Sequence, residues 1–186
     1  VDGNFPLGPM WDQDSVHDVY RRWRKLLKGY DGDRVLVAEA WIPVPERLAR
    51  YVRADEMHQA FNFDFLSSAW DAASYRRVIT ETMAANAAVG APTTWVLSNH
   101  DVVRHATRLA REDTSDTEGI AATDPQPDAA LGLRRGRAAT LMMLALPGSA
   151  YLYQGEELGL PEHTAVPDDL RQDRGMSLDA LFRKEY

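Results

Sequence analysis

Cysteine is missing altogether from the 186 residues. That removes disulfides, thiolate zinc sites and a thiol nucleophile together, and it suits a reducing, cytoplasmic compartment. Long apolar runs are missing too. Nothing approaches the ~20 residues a membrane-spanning helix needs, so no membrane partner is expected. Basic charge is in deficit, with 21 Lys and Arg against 28 Asp and Glu, for a formal net charge of −7. A nucleic-acid partner, which wants a clustered basic face, is not expected either. There is no Gly-rich phosphate-cradling loop and no Gly-x-Ser-x-Gly elbow for a serine nucleophile. His17, His58, His100, His105 and His163 show no metal-ligand spacing, so no metal and no cofactor are expected. The chain begins at Val1 with neither an initiator Met nor a targeting segment. Either an export signal has been removed or the chain is a piece of something longer.

What remains is an ordinary globular mix, 45% apolar and 26% charged, with length for one sizeable core. The periodicity predicts a helix from an N-cap at Asp12 or Asp14 to Gly29. Val16, Val19, Tyr20, Trp23, Leu26, Leu27 and Tyr30 form its apolar stripe, which places Trp23 in the core. Residues 34–41 read as a short buried strand, 46–56 as a short helix and 60–66 as a second strand, with Phe61, Phe63 and Phe65 alternating against Asn62 and Asp64. A helix over 71–88, a strand over 93–98, a helix over 131–146 and a strand over 149–153 follow. The apolar run from Ala138 to Leu146 predicts deep burial. Residues 112–129, rich in Asp, Thr and Pro, read as a long loop. A short helix is expected over 177–184.

Strands alternating with helices predict an α/β fold with parallel strands and right-handed crossovers. The ligand site of such a fold lies beyond the C-terminal ends of the strands. Polar residues collect there: Glu39, Asp64, His100 and Asp101, Glu156 and Glu157. Glu39 stands in the string Val37-Ala-Glu-Ala-Trp41. A carboxyl walled in by apolar neighbours resists ionisation, which suits a general acid; a solvent-facing strand-end Glu is the equally weighted alternative. Asn99-His100-Asp101 serves either as a ligand-orienting or relay group or as a turn, with Asp101 capping the next helix.

Four strings together resemble the alpha-amylase family of glycoside hydrolases, on its alpha-glucosidase and oligo-1,6-glucosidase branch. Val37-Ala-Glu-Ala-Trp41 resembles the family's strand five, and Phe61-Asn-Phe-Asp-Phe65 its strand six. Trp95-Val-Leu-Ser-Asn-His-Asp-Val-Val-Arg104 resembles strand seven. Pro147-Gly-Ser-Ala-Tyr-Leu-Tyr-Gln-Gly-Glu-Glu-Leu-Gly-Leu160 resembles strand eight and its loop. The strings stand in family order across about residues 11–170. The resemblance implies the C-terminal half of a (β/α)8 TIM barrel: helix four plus roughly four βα units, in a single partial domain over 1–186.

The roles follow from the same resemblance. Glu39 is implied as the general acid/base and Asp101 as the carboxylate that stabilises the transition state. His100 and Arg104 are implied as substrate-binding residues, with Trp41 as an aromatic wall. The implied substrate is an α-glucoside oligosaccharide, cleaved with retention of configuration. A trehalose synthase or a transglucosidase would share the strings. A non-catalytic barrel relative acting as a binding or assembly subunit ranks third, because both Glu39 and Asp101 are in place.

The departures matter as much. The family's nucleophile, an Asp in a Gly-Phe-Arg-Ile-Asp-like segment on strand four, has no counterpart here, nor does the small domain inserted after strand three. Gln172-Asp173-Arg174 stands where relatives carry Gln-Asp-Pro. A half-barrel leaves two open sheet edges and an uncovered inner face. The isolated piece is therefore expected to be inactive and marginally stable, forming a homodimer or pairing with the missing barrel half.

Overall fold

The computed structural model of the chain describes residues 10–167 and 170. The helix expected over 177–184 and the segment Gln172–Arg174 lie outside the described residues. The elements alternate as the sequence predicts: α1 (Val16–Leu27), β1 (Val37–Ala38), α2 (Pro45–Arg50), β2 (Gln59–Ala60), α3 (Phe63–Leu66), α4 (Ala72–Ala88), β3 (Thr94–Val96), α5 (His105–Arg108), α6 (Ala129–Ala145) and β4 (Ser149–Tyr151). Strand β1 pairs with β2 and β3 with β4, both parallel; Ala38 lies opposite Ala60, and Trp95 opposite Ala150. Gln59 ties the pairs together. It donates to Ser149 Oγ at 2.7 Å and accepts from the Tyr151 hydroxyl at 2.5 Å. Between α5 and α6 the chain carries only turns and bends. Among the described residues, no helix is long and apolar enough to cross a membrane.

Local chemistry explains the best-defined boundaries. Helix α4 starts where the Asp71 carboxylate accepts from the Ser74 hydroxyl and from the backbone N–H groups of Ala73 and Ser74. Those bonds, led by the Ser74 hydroxyl, hold the Asp71 carboxyl below the usual carboxylate range. A lowered folded-state pKa contributes stability above the unfolded value of about 3.9, and that stability is lost as the pH falls through the folded value. Asp71→Ala is expected to lower the melting temperature by a few degrees at pH 7, with the gap to the parent chain closing in acid. A gap that stays constant down to pH 2 would contradict the cap. Asp128 caps α6 in the same manner.

One core joins Phe65, Tyr75, Val78, Trp95, Leu97, Leu109, Ala139 and Met143, beneath α4 and α6. Trp95 is fully buried, and its indole N–H donates to the Pro147 carbonyl at 2.9 Å. Gly132 lets α6 close on α5, since a Cβ there would lie 2.0 Å from the Ala106 carbonyl oxygen. A smaller core of Ala38, Ile42, Tyr51, Val52, Met57 and Ala60 seats α1 and α2.

Four expectations need correction. Asp12 and Asp14 do not cap α1: Ser15 occupies that position, while Asp12 pairs with Arg47 and Asp14 with Arg50. The expected strand over 60–66 is two residues of strand followed by one helical turn. The Asn62 side chain accepts from Phe65 N–H and starts that turn. Phe61 and Phe63 share one apolar cluster beside the strand ends while Phe65 enters the main core, so their alternation is not that of a two-sided strand. Trp23 is 50% exposed, because the α1 stripe is wider than the surface these residues offer it. Helix α6 buries only the stripe of Gly132, Gly136, Ala139 and Met143, and Leu141 and Leu144 are 71% and 57% exposed.

Candidate active site

Three of the strand-end groups converge. Glu39 follows β1, and His100 and Asp101 follow β3; one donor atom from each lies within 4.8 Å of the others. Among the described residues this is the set close enough for three such donors to share a cation. His100 Nε2 stands 3.4 Å from Asp101 Oδ1. Asp101 is held by its own backbone, whose N–H donates to Asn99 Oδ1 at 2.9 Å. It begins a turn and caps no helix, since α5 starts at His105 behind Arg104. All three side chains are exposed. The expectation of a walled-in Glu39 therefore fails: Ala38 enters the core, Val37 is itself exposed, and Glu39 stands at the lip.

A cavity of about 200 Å³ opens beside the cluster, lined by Glu39, Phe61, Phe63, His100, Tyr151 and Tyr153 among others. Trp41 stacks on Phe63 at 4.0 Å with 15° between the rings, and Phe61 meets Tyr151 edge-on at 4.8 Å. Sequence reasoning treated Asn99 only as part of a motif or turn. Its Nδ2, on a residue that lines this cavity, is buried with no hydrogen-bond partner among the described residues. A buried donor left unpaired is costly.

The other candidates separate from the cluster. Among the described residues, Arg104 pairs with no carboxylate through its guanidinium. It donates to the Gln154 carbonyl at 2.6 Å and lies over the Tyr153 ring at 4.7 Å, fastening the loop after β4 beside the cavity. Asp64 lines neither this cavity nor the cluster. Burial pushes its carboxyl above the ordinary range, offset by Arg77 on α4. Glu156 is buried away from solvent, and Glu157 caps a turn through the Gly155 N–H.

Glu156 instead belongs to a brace that the sequence did not reveal. Its carboxylate reaches His105 Nδ1 at 3.1 Å and accepts from Tyr153 N–H at 3.0 Å. His105 Nδ1 also meets Ser98 Oγ at 2.9 Å, and Ser98 lines the cavity. The loops after β3 and β4, which carry the cavity walls, are thus tied by buried polar contacts. Glu156→Ala leaves the Tyr153 N–H without its acceptor and His105 with Ser98 alone at Nδ1, and is expected to cost about 1–3 kcal/mol in urea denaturation. Glu157→Ala, at an exposed position, is expected to cost far less. Equal losses would show that the brace is not buried in solution.

The family model of the alpha amylase catalytic domain matches residues 8–181. The chain is 29% identical over 179 residues to a trehalose synthase of Pimelobacter sp. (strain R48), and 30% identical over 161 residues to Maltase A1 of Drosophila melanogaster. These matches cover 83% and 81% of this chain but only 31% and 24% of those proteins. Among solved structures, the alpha-glucosyl transfer enzyme XgtA superposes with a TM-score of 0.64 at 28% identity, covering 89% of this chain and 27% of that one. The parallel βα units are accordingly part of a (β/α)8 barrel. With the match running through both cores and every strand, this chain belongs to the alpha-amylase family of glycoside hydrolases, as a fragment of its catalytic barrel.

Proposed function

We propose that the chain carries half of the active site of a retaining α-glucosidase acting on maltose- or isomaltose-type oligosaccharides in a reducing compartment. The observation that carries this reading is the convergence of Glu39, His100 and Asp101 on an aromatic-walled cavity. Glu39 is the general acid that protonates the glycosidic oxygen, then the base that activates water. Asp101 faces the positive charge that develops at the anomeric carbon. His100 and Asn99 donate to sugar hydroxyls, and Trp41 with Phe63 offers the apolar ring faces a flat wall. Arg104 positions the rim through Gln154 and Tyr153. The nucleophile is a carboxylate supplied from outside these 186 residues, ~5–5.5 Å from Glu39 when the barrel is complete. Without it the displacement has no covalent partner, so the isolated chain does not turn over substrate.

The similarity to a trehalose synthase and to a glucosyl transfer enzyme supports a second reading, in which the same site passes the glucosyl unit to another sugar hydroxyl. The test is an assay of maltose and isomaltose with this chain alone, and joined to a polypeptide carrying barrel strands one to four. Glucose release by the joined form only is the expected result. Trehalose as the main product would favour the second reading. Turnover by the chain alone would overturn the divided site.

A further inference from the structure

The cavity beside Glu39 and His100 is assembled from two strand pairs. The β1–β2 pair brings Glu39 and Phe61, and the β3–β4 pair brings His100 and Tyr151. Among the described residues, no backbone hydrogen bond runs from a strand of one pair to a strand of the other. The two sides of the cavity are therefore registered by side chains. Phe61 is fixed to its own pair, since its N–H donates to the Ala38 carbonyl at 3.1 Å. Tyr151 meets Phe61 edge-on across the gap and packs on the cluster of Phe63, Leu66 and Val96. Apolar burial of this kind is non-directional. The directional contacts come from Gln59, on β2 two residues before Phe61: the Tyr151 hydroxyl donates to Gln59 Oε1 at 2.5 Å, and Gln59 Nε2 donates to Ser149 Oγ at 2.7 Å. We propose that Gln59, which does not itself line the cavity, is a positioning residue for substrate binding, holding the Tyr151 ring in the cavity wall from the opposite strand pair.

The backbone gives Gln59 a firm base. It lies opposite Val37 in the β1–β2 ladder, and its N–H donates to the Leu36 carbonyl at 3.3 Å. Ser149 and Tyr151 stand two residues apart on β4, so their side chains leave the same face of the strand, and the Gln59 amide grips that face at two points. An amide suits both partners, because its carbonyl end accepts and its NH₂ end donates. With its hydroxyl proton given to Gln59, Tyr151 presents ring carbon beside Phe61 and leaves polar recognition of the sugar to Glu39 and His100. A wall already held in place spares the ordering cost that a ligand would otherwise meet on arrival.

The inference rests on the α-glucosidase reading, and the experiment separates the two. In the joined barrel, kcat and KM are measured for the faster of maltose and isomaltose, with Gln59→Leu, Tyr151→Phe and the double variant beside the parent. Each single change is expected to raise KM about fivefold, the order that one lost hydrogen bond gives, with kcat held within about twofold. A loosened wall weakens ground state and transition state alike, so KM carries the effect. Loss of folded protein alone would lower kcat and leave KM where it was. Because both changes break the same contact, the double variant is expected to match the single ones instead of reaching about 25-fold. An unchanged KM in Gln59→Leu, or effects that multiply in the double variant, overturns the positioning role and leaves the glucosidase reading standing. If Gln59→Leu does not fold, an unchanged KM in Tyr151→Phe overturns it in the same way. Failure of the unsubstituted joined barrel to consume either sugar overturns the glucosidase reading and this role with it.

Discussion

Glu39→Gln in the joined barrel is expected to lower maltose turnover by about 10²–10⁴-fold, the usual contribution of a positioned proton donor. The amide has nearly the same shape, so the aromatic walls and the His100–Asp101 pair keep their places. What is lost is the proton that the departing sugar oxygen needs. The loss therefore scales with the basicity of the leaving group. With α-glucosyl fluoride, the first step needs little protonation and the covalent intermediate forms at close to the parent rate. Water attack then lacks its base and becomes limiting. A burst of fluoride followed by slow turnover is the expected trace. If Glu39→Gln slowed maltose and the fluoride burst equally, Glu39 would be a binding residue and the acid/base would have to be sought elsewhere.

The largest expected effect on stability lies far from the cavity, at Glu56. Its carboxylate is fully buried, 2.5 Å from His17 Nδ1, paired with Arg53 and 3.4 Å from Arg21. Its backbone carbonyl also accepts from Arg24 at 3.0 Å. Three residues of α1 are in this way pinned to the turn after α2. Glu56→Ala leaves the Arg53 guanidinium and a buried His17, whose Nε2 has no partner among the described residues, without their anion. Breaking a buried pair in this manner costs about 3–5 kcal/mol. The loss would be read as a shift in the urea midpoint, and Glu56→Gln is expected to fall between the two. A loss below about 1 kcal/mol would mean that water reaches the cluster and takes over its hydrogen bonds.

Much of the outline was legible because short-range physics decided it. Asp71 announces a helix start, and both long helices end within a residue or two of the expected points, although α6 begins at Ala129, two residues before the expected 131. The alternation of strands with helices was enough to place polar residues at one end of a parallel arrangement, and Glu39, His100 and Asp101 do meet there. At Asp12 and Glu156 the deciding contact came from far along the chain. Asp12 looks like a helix cap, yet Arg47 and Tyr51 claim it from 35 and 39 residues away. Phe61, Phe63 and Phe65 alternate like a strand, but Asn62 starts a turn and the rings divide between the cavity and the core. Glu156 and His105 gave no signal at all, since 51 residues separate them and their contact is made only when β3 and β4 pair.

By itself, the amino-acid order determined the succession of parallel strands and helices and the cap of α4 at Asp71, because caps, turns and periodic apolar faces are set by neighbours within a few residues. Only the tertiary structure decided that Asp64 and Glu156 leave the site, that Glu39 stands exposed at the lip of the cavity, and that the stripes of α1 and α6 remain partly bare. Those outcomes depend on which distant strands pair and on how much surface the rest of the chain offers. No local pattern carries that quantity.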